Sequence, residues 1–281
     1  MSDAPQTGVP DQYGVAGHPV SHSWSPFIHG MFAKATSQRI VYRLFDIAPA
    51  VFRRETLRLF AGDLRGLNVT LPHKLAAAEL VQELSPRAAR AGAVNTIVRR
   101  DDSTLFGDNT DGIGLLSDLE GNLQLDLTQK RVLILGAGGA VRGVLAPLLE
   151  RDLAAIVIAN RTSSRAAQLA ADFADLGNVR GCAFHEVEGP PFDLIVNGTA
   201  ANLGGEMPEM PVGLVDENTV CYDMAYGHGH TPFTLWAKSL HAARACKGWG
   251  MLVEQAAAAF ALWRGIRPET APVLEALIHH R

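Results

Sequence analysis

After a polar start with two prolines, short β-branched or apolar runs alternate with longer segments of helical spacing. Residues 13–16 read as a strand. Residues 26–35 read as a helix, with apolar positions recurring every three or four residues and Ser25 placed to cap it. The same alternation predicts strand 40–47, helix 51–60, strand 66–70 and, after Pro72, a helix over 74–84. Residues 93–100 and 104–107 flank the polar turn Asp101-Asp102-Ser103 and predict two more strands.

A second series follows a helical stretch at 111–119. The apolar strand 131–135 runs straight into Gly136-Ala137-Gly138-Gly139 and a helix. Strand 156–159, helix 164–173 and buried strands 193–196 and 220–222 come next, and helices at 251–264 and 272–278 end the chain. Apolar strands joined by crossover helices predict a parallel sheet covered on both faces, an α/β protein.

With 281 residues, 47% of them hydrophobic, the chain can bury one large core or two smaller ones. A net charge of −4 without a long basic run argues against nucleic acid as a partner. Cys182, Cys221 and Cys246 are odd in number and form no CxxC pair, so reduced thiols are expected. The N-terminus lacks the apolar core of a signal peptide, and no apolar stretch reaches the roughly 18 residues of a membrane span. A cytoplasmic protein with a frayed N-terminus is expected.

An apolar strand ending in a glycine turn that opens a helix suits a phosphate. Glycine admits the pyrophosphate close to the backbone, and the helix N-terminus presents free N–H groups. Gly136 and Gly138 fit the first two glycines of G-x-G-x-x-G, and Val141 stands at the third. An ordinary tight turn is the plainer reading, but the strand before and helix after favour a nucleotide. The next strand ends in Asn160-Arg161-Thr162, with Arg165 one turn on, where an NAD site carries Asp or Glu. Each charge-assisted bond to a 2′-phosphate is worth about 1.5–3 kcal/mol, so two arginines favour NADP by about two orders of magnitude. Otherwise they are solvated charges at a helix start, unfavourable there without an anion.

Polar clusters crowd the first part of the chain. In Ser21-His22-Ser23-Trp24-Ser25-Pro26, an extended backbone would turn the hydroxyls of Ser23 and Ser25 the same way, toward a carboxylate or hydroxyl. The alternative is that Ser25 only caps the helix. Asn68, Thr70 and Lys74 fall near one strand end, Asn95 lies in Ala93-Val94-Asn95-Thr96, and Asp111 lies in Gly107-Asp108-Asn109-Thr110-Asp111-Gly112. A lone Lys or Asp is most often a surface charge. A Lys and an Asp at strand ends facing a nucleotide domain make an acid–base couple. His18, His22, His29 and His73 lack metal-ligand spacing and read as surface or packing residues, so no metal is expected.

In order and spacing, these segments resemble the shikimate dehydrogenase family. Asn160-Arg161-Thr162-x-x-Arg165, Tyr222-Asp223-Met224 and Gly250-Met251-Leu252-Val253-Glu254-Gln255 extend the likeness over nearly the whole chain. The resemblance implies an N-terminal α/β substrate domain completed by the C-terminal helices, residues 1–111 and 246–281. A Rossmann-type NADP-binding domain, residues 112–245, would be inserted, with a cleft between the two. It also implies reversible NADPH-dependent reduction of 3-dehydroshikimate to shikimate, in aromatic amino acid biosynthesis. By that resemblance Ser23 and Ser25 bind the carboxylate of shikimate, and Asn68, Thr70, Lys74, Asn95, Asp111, Tyr226 and Gln255 line the rest of the substrate site. Gly136, Ala137, Gly138, Gly139, Ala140, Asn160, Arg161, Thr162 and Arg165 would hold NADP, with backbone around Thr199, Met224 and Gly248 beside the nicotinamide. Two features depart from the family pattern. Ala200-Ala201-Asn202 replaces a run of small residues, with Asn202 able to take a left-handed backbone in place of glycine. Lys247 precedes Gly248 where an acidic residue is expected.

Reducing a ketone needs a hydride at carbon and a proton at oxygen, and the nucleotide supplies the hydride. Lys74 is expected beside the reacting oxygen, oriented and kept charged by Asp111, as proton donor or chiefly through its charge. A broader quinate/shikimate dehydrogenase is one alternative, and Asn160-Arg161-Thr162 argues against its NAD-using members. A dehydrogenase of an amino-substituted ring acid is another. A catalytically silent NADP or metabolite sensor is disfavoured, because Lys74, Asp111, Ser23 and Ser25 are all present. The expected partner is a small molecule, neither nucleic acid nor membrane, and both monomer and homodimer are compatible with the sequence.

Overall fold

Two six-stranded sheets organise residues 9–199 and 207–280, the residues that the computed structural model describes. The N-terminal residues expected to fray, 1–8, and the Ala200-Ala201-Asn202 run lie outside the described residues. The first sheet contains β1 (Asp11–Gly17), β2 (Ile40–Asp46), β3 (Leu64–Val69), β4 (Glu83–Leu84), β5 (Thr96–Arg99) and β6 (Leu105–Asp108), in the order β2-β1-β3-β5-β6-β4. β1 runs parallel to β2 and β3, whereas β5 is antiparallel to both β3 and β6. Helices α1 (Ser25–Ala35), α2 (Phe52–Ala61), α3 (Lys74–Leu80) and α4 (Pro86–Ala91) connect these strands.

The second sheet is wholly parallel. Its strands are β7 (Arg131–Leu135), β8 (Ala155–Ala159), β9 (Val179–Cys182), β10 (Leu194–Asn197), β11 (Val220–Asp223) and β12 (Arg244–Lys247). Read from β9 the order is β9-β8-β7-β10-β11-β12, the doubly wound arrangement whose ligand crevice lies where the order reverses, between β7 and β10. Strand β7 is apolar throughout because both faces are covered. Val132 and Ile134 join one core cluster, and Leu133 and Leu135 join the other. Helices α6 (Gly139–Leu149), α7 (Ser163–Asp172) and α8 (Pro232–Ser239) belong to this half.

The C-terminal helices α9 (Trp249–Arg264) and α10 (Ala271–His279) return to the first half. Val253, Ala256 and Phe260 of α9 pack with Ile28 and Phe32 of α1. Between the halves runs α5 (Asp111–Leu116), continued by a π-helical turn, Ser117–Asn122. Among the described residues no helix is long and apolar enough to cross a membrane. All three cysteines are free, and burial pushes the Cys221 thiol up to about 12.

Several expected boundaries move. Ser25 is the first residue of α1 and makes no capping hydrogen bond; Trp24 occupies the cap position. The helix expected over 74–84 ends at Leu80. There Val81 turns extended and Glu83–Leu84 pairs with Phe106 and Gly107, so sheet pairing overrides the helical pattern. α4 follows, capped by the Ser85 hydroxyl, which accepts from the Ala88 N–H at 3.1 Å. The sequence reading also lacks β9, α8 and β12. Residue 246, the expected border, falls inside β12, which pairs with β11 in the second sheet.

Candidate active site

The strand ends of both sheets open on one cleft of about 830 Å³. On the first-sheet wall, a turn closed by Ser23 N–H to Val20 O at 3.0 Å leads into α1. It brings Ser23 Oγ within 3.1 Å of Ser25 Oγ, and Ser23 Oγ also accepts the Ser25 N–H at 3.3 Å. A turn, rather than an extended segment, therefore pairs the two hydroxyls. Tyr226 stands against this pair. Burial raises its phenol pKa, and a hydrogen bond with Ser23 opposes the rise.

Lys74 is the first residue of α3 and Asp111 the first of α5, so two helix starts meet. Lys74 Nζ donates to Asp111 Oδ2 at 2.5 Å, with side chains 15% and 5% exposed. Asn95 orients this carboxylate: its Nδ2 donates to Asp111 Oδ1 at 2.9 Å, while its Oδ1 accepts the Thr110 N–H at 2.9 Å. Gln255 Oε1 lies 3.4 Å from the same Nδ2. Asn68 is buried and largely engaged within the protein, donating to Asn95 O at 3.3 Å and Thr96 Oγ1 at 3.1 Å and accepting from the Tyr42 hydroxyl at 2.7 Å.

The opposite wall is the glycine turn. Gly136 has φ +106°, which an L side chain rarely adopts. Gly138 precedes α6 without a side-chain cap, so no cap side chain takes up the first N–H groups of α6, and a Cβ on Gly138 itself would meet nothing within 4 Å. A Cβ on Gly139 would lie 3.3 Å from Lys74 Cβ, which puts the turn directly beside the Lys74–Asp111 pair. Thr199 is fixed through Asn197, whose Oδ1 accepts from its hydroxyl at 2.7 Å, and Asn197 Nδ2 donates to Asp223 at 3.0 Å. Gly248 is pressed against Met224 O.

Of the residues named from the sequence, Ser23, Ser25, Asn68, Thr70, Lys74, Asn95, Asp111, Tyr226 and Gln255 all line the cleft, as do Gly136 to Ala140, Asn160, Arg161, Thr199, Met224 and Gly248. Thr162 and Arg165 stand outside its lining, exposed at the start of α7. Lining residues given no site role from the sequence are mostly apolar, among them Leu71, Leu75, Phe184 and Met251. Leu71 and Leu75 flank the Asn68 to Lys74 polar motif and are 54% and 48% exposed, a signal of a surface kept open for a ligand. Of the histidines, His29 and His73 are buried, stacked on Tyr42 and Phe52, while His18 and His22 are exposed.

Comparison with known proteins agrees with this geometry. Residues 15–97 match the family described as shikimate dehydrogenase substrate binding domain, residues 119–203 the family described as shikimate/quinate 5-dehydrogenase, and residues 248–278 the shikimate 5′-dehydrogenase C-terminal domain. A Methylococcus capsulatus protein named shikimate dehydrogenase (NADP(+)) is 51% identical over 268 residues, 95% of this chain and 96% of its own. Among solved structures, an Ael1 enzyme from Pseudomonas putida is 41% identical with a TM-score of 0.87, covering 95% of this chain and 98% of that one. A shikimate 5-dehydrogenase from Thermus thermophilus, in complex with NADP(H) and shikimate, is 33% identical with a TM-score of 0.81, covering 94% and 97%. By this similarity along almost its whole length, the chain belongs to the shikimate dehydrogenase family.

Proposed function

We propose that this chain catalyses the reversible NADPH-dependent reduction of 3-dehydroshikimate to shikimate, a step of aromatic amino acid biosynthesis. The observation that carries the reading is the Lys74–Asp111 pair, closed at 2.5 Å between the hydroxyls of Ser23 and Ser25 and the glycine turn. The second-sheet wall suits NADP. The uncapped start of α6 offers N–H groups to a pyrophosphate, and Arg161 at the cleft, with the exposed Arg165 of α7 beyond it, takes the 2′-phosphate in this reading. Bound NADPH supplies the hydride.

The side chains of the protein manage the rest. Ser23 and Ser25 bind the ring carboxylate, and Thr70, Asn95 and Gln255 meet the ring hydroxyls, with Asn68 and Tyr226 at the edges of the site. Lys74 faces the reacting oxygen, stabilises the charge that develops there and gives it a proton, taking one back in the oxidation. Asp111, fixed by the Asn95 amide, holds Lys74 Nζ in place. The first sheet with α9 and α10 forms the substrate domain, and the second sheet forms the nucleotide domain, with the return to the substrate domain after Lys247. The free cysteines support a reducing compartment, the cytoplasm.

The test is reduced-nicotinamide absorbance with shikimate or quinate and NADP⁺ or NAD⁺. Rapid reduction with shikimate and NADP⁺ is expected, as is a fall in turnover of about a thousandfold for Lys74→Met, with NADPH affinity within about twofold. Near-normal turnover of Lys74→Met removes the assigned role. No reduction by any pair, in folded protein that binds NADPH, removes the enzymatic reading.

A further inference from the structure

Lys247, the residue that stands where an acidic side chain was expected, has a defined place. Its Nζ donates to Gly227 O at 2.7 Å and to Gly229 O at 2.8 Å. The turn it holds, between β11 and α8, follows Tyr226 directly. Gly227 has φ +150° and Gly229 φ +78°, and a Cβ at either position would meet nothing within 4 Å. At its two glycines, then, the turn has left-handed backbone and no side chain to pack, so fixed hydrogen bonds must supply what packing does not.

What the turn carries reaches across the cleft. Tyr226 lies on Trp249, with ring centroids 5.4 Å apart, and its hydroxyl meets Ser23. His228 lies edge-on to Trp24 of the first half at 5.8 Å and beside Trp249 at 5.7 Å. Trp24 sits between Ser23 and Ser25. One short turn from the second sheet thus closes against the serine pair of the first, and Lys247, the last residue of β12, bonds to that turn at Gly227 O and Gly229 O.

We propose that Lys247 is a positioning residue, which holds the Tyr226–His228 turn in register over the carboxylate end of the substrate site. The inference rests on the proposed function for the identity of that substrate. It acts through the turn alone: Lys247 itself does not line the cleft.

The experiment compares Lys247→Met and Lys247→Arg with the wild type by amide hydrogen exchange and by steady-state kinetics. In Lys247→Met, exchange across 225–231 should accelerate about tenfold, the KM for shikimate should rise about tenfold and the KM for NADP⁺ should stay within about twofold. Lys247→Arg, which can still donate to both carbonyls, should recover most of both effects. A residue that merely stabilised the fold would move the melting temperature and both KM values together. Unchanged exchange at 225–231 in Lys247→Met overturns the clamp, and faster exchange with an unchanged shikimate KM overturns the positioning role. Absence of shikimate oxidation by the wild type overturns the functional reading instead, while the exchange result still decides the clamp.

Discussion

His29 lies against Tyr42 with ring centroids 4.3 Å apart and an interplanar angle of 8°, inside a wall completed by Phe32, Phe260 and Trp263. It is fully buried beside Asn68, whose amide is already engaged, and neither ring nitrogen closes a well-formed hydrogen bond. Burial lowers its pKa to about 3. The folded protein thus keeps the ring neutral where the unfolded chain, titrating near 6.5, takes a proton. A depressed folded pKa gives stability that is present above 6.5 and is lost as pH falls toward 3, at up to about 1.4 kcal/mol per pH unit. His29→Phe keeps a flat ring and removes the titration, so its urea-unfolding free energy should fall less steeply than that of the wild type between pH 7 and pH 4. Equal slopes would refute the assignment. Residue types at the site were legible because Lys74, Asp111 and Asn95 sit in short polar runs where a plain core needs none. The partnership of His29 with Tyr42 was not, because β-strand alternation says which face a side chain takes and nothing about the helix lying over it.

Helix α5 lies closer to its neighbours than side chains normally permit. A Cβ on Gly112 would stand 2.4 Å from Pro147 Cγ and 2.8 Å from Gly143 O, and one on Gly114 would stand 2.7 Å from Gln255 Cβ. The first pair of contacts is with α6 and the second is with α9, so α5 is wedged between a helix of the second half and one of the first. Gly112→Ala sets a methyl against backbone that cannot move without shifting α6. A loss of about 1–3 kcal/mol follows, read as a melting temperature lower by about 3–8 °C. Turnover should fall with it, because Asp111 precedes Gly112 and the glycine turn opens α6. An unchanged melting temperature would mean that α6 adapts freely. Helix existence was legible where apolar periodicity was long, as in α1, α2 and α9. The end of α3 was not, because residues 81–84 continue a helical pattern while Gln82 N–H bonds to Leu105 O at 3.0 Å and draws the chain into the sheet. Strand β12, with Arg244 and Lys247 at its ends, carries too little apolar signal to be read as a strand.

At the scale of the whole molecule, the chain passes between the two halves twice, through the π-helical turn after α5 and through the β12–α9 junction. One carboxylate touches both passages. Asp118, 4% exposed, accepts from the Tyr222 hydroxyl at 2.5 Å and from Asn122 Nδ2 at 3.0 Å. Tyr222 Oη in turn accepts the Met251 N–H of α9 at 3.3 Å, and Gly250 is pressed so close that a Cβ there would overlap Asp118 Oδ1. The two-part architecture was legible from two strand-and-helix series. This junction was not, since Asp118 and Tyr222 are 104 residues apart and nothing in the Tyr222-Asp223-Met224 motif points to Asp118. Burial raises the pKa of Asp118, the hydrogen bonds from Tyr222 and Asn122 oppose the rise, and the charge of Glu254 adds to it. The folded state therefore holds this proton more tightly than the unfolded chain does. Its contribution to stability is complete below the unfolded carboxylate value near 3.8 and is lost as pH rises through the folded value. Asp118→Asn does not titrate, so its stability relative to wild type should improve from pH 4 upward and level off once Asp118 is ionised. Urea unfolding of both proteins from pH 4 to pH 8 reads that difference directly. The opposing slope from His29 is common to both proteins and cancels, so a difference constant across the range would show that the junction does not raise the Asp118 pKa.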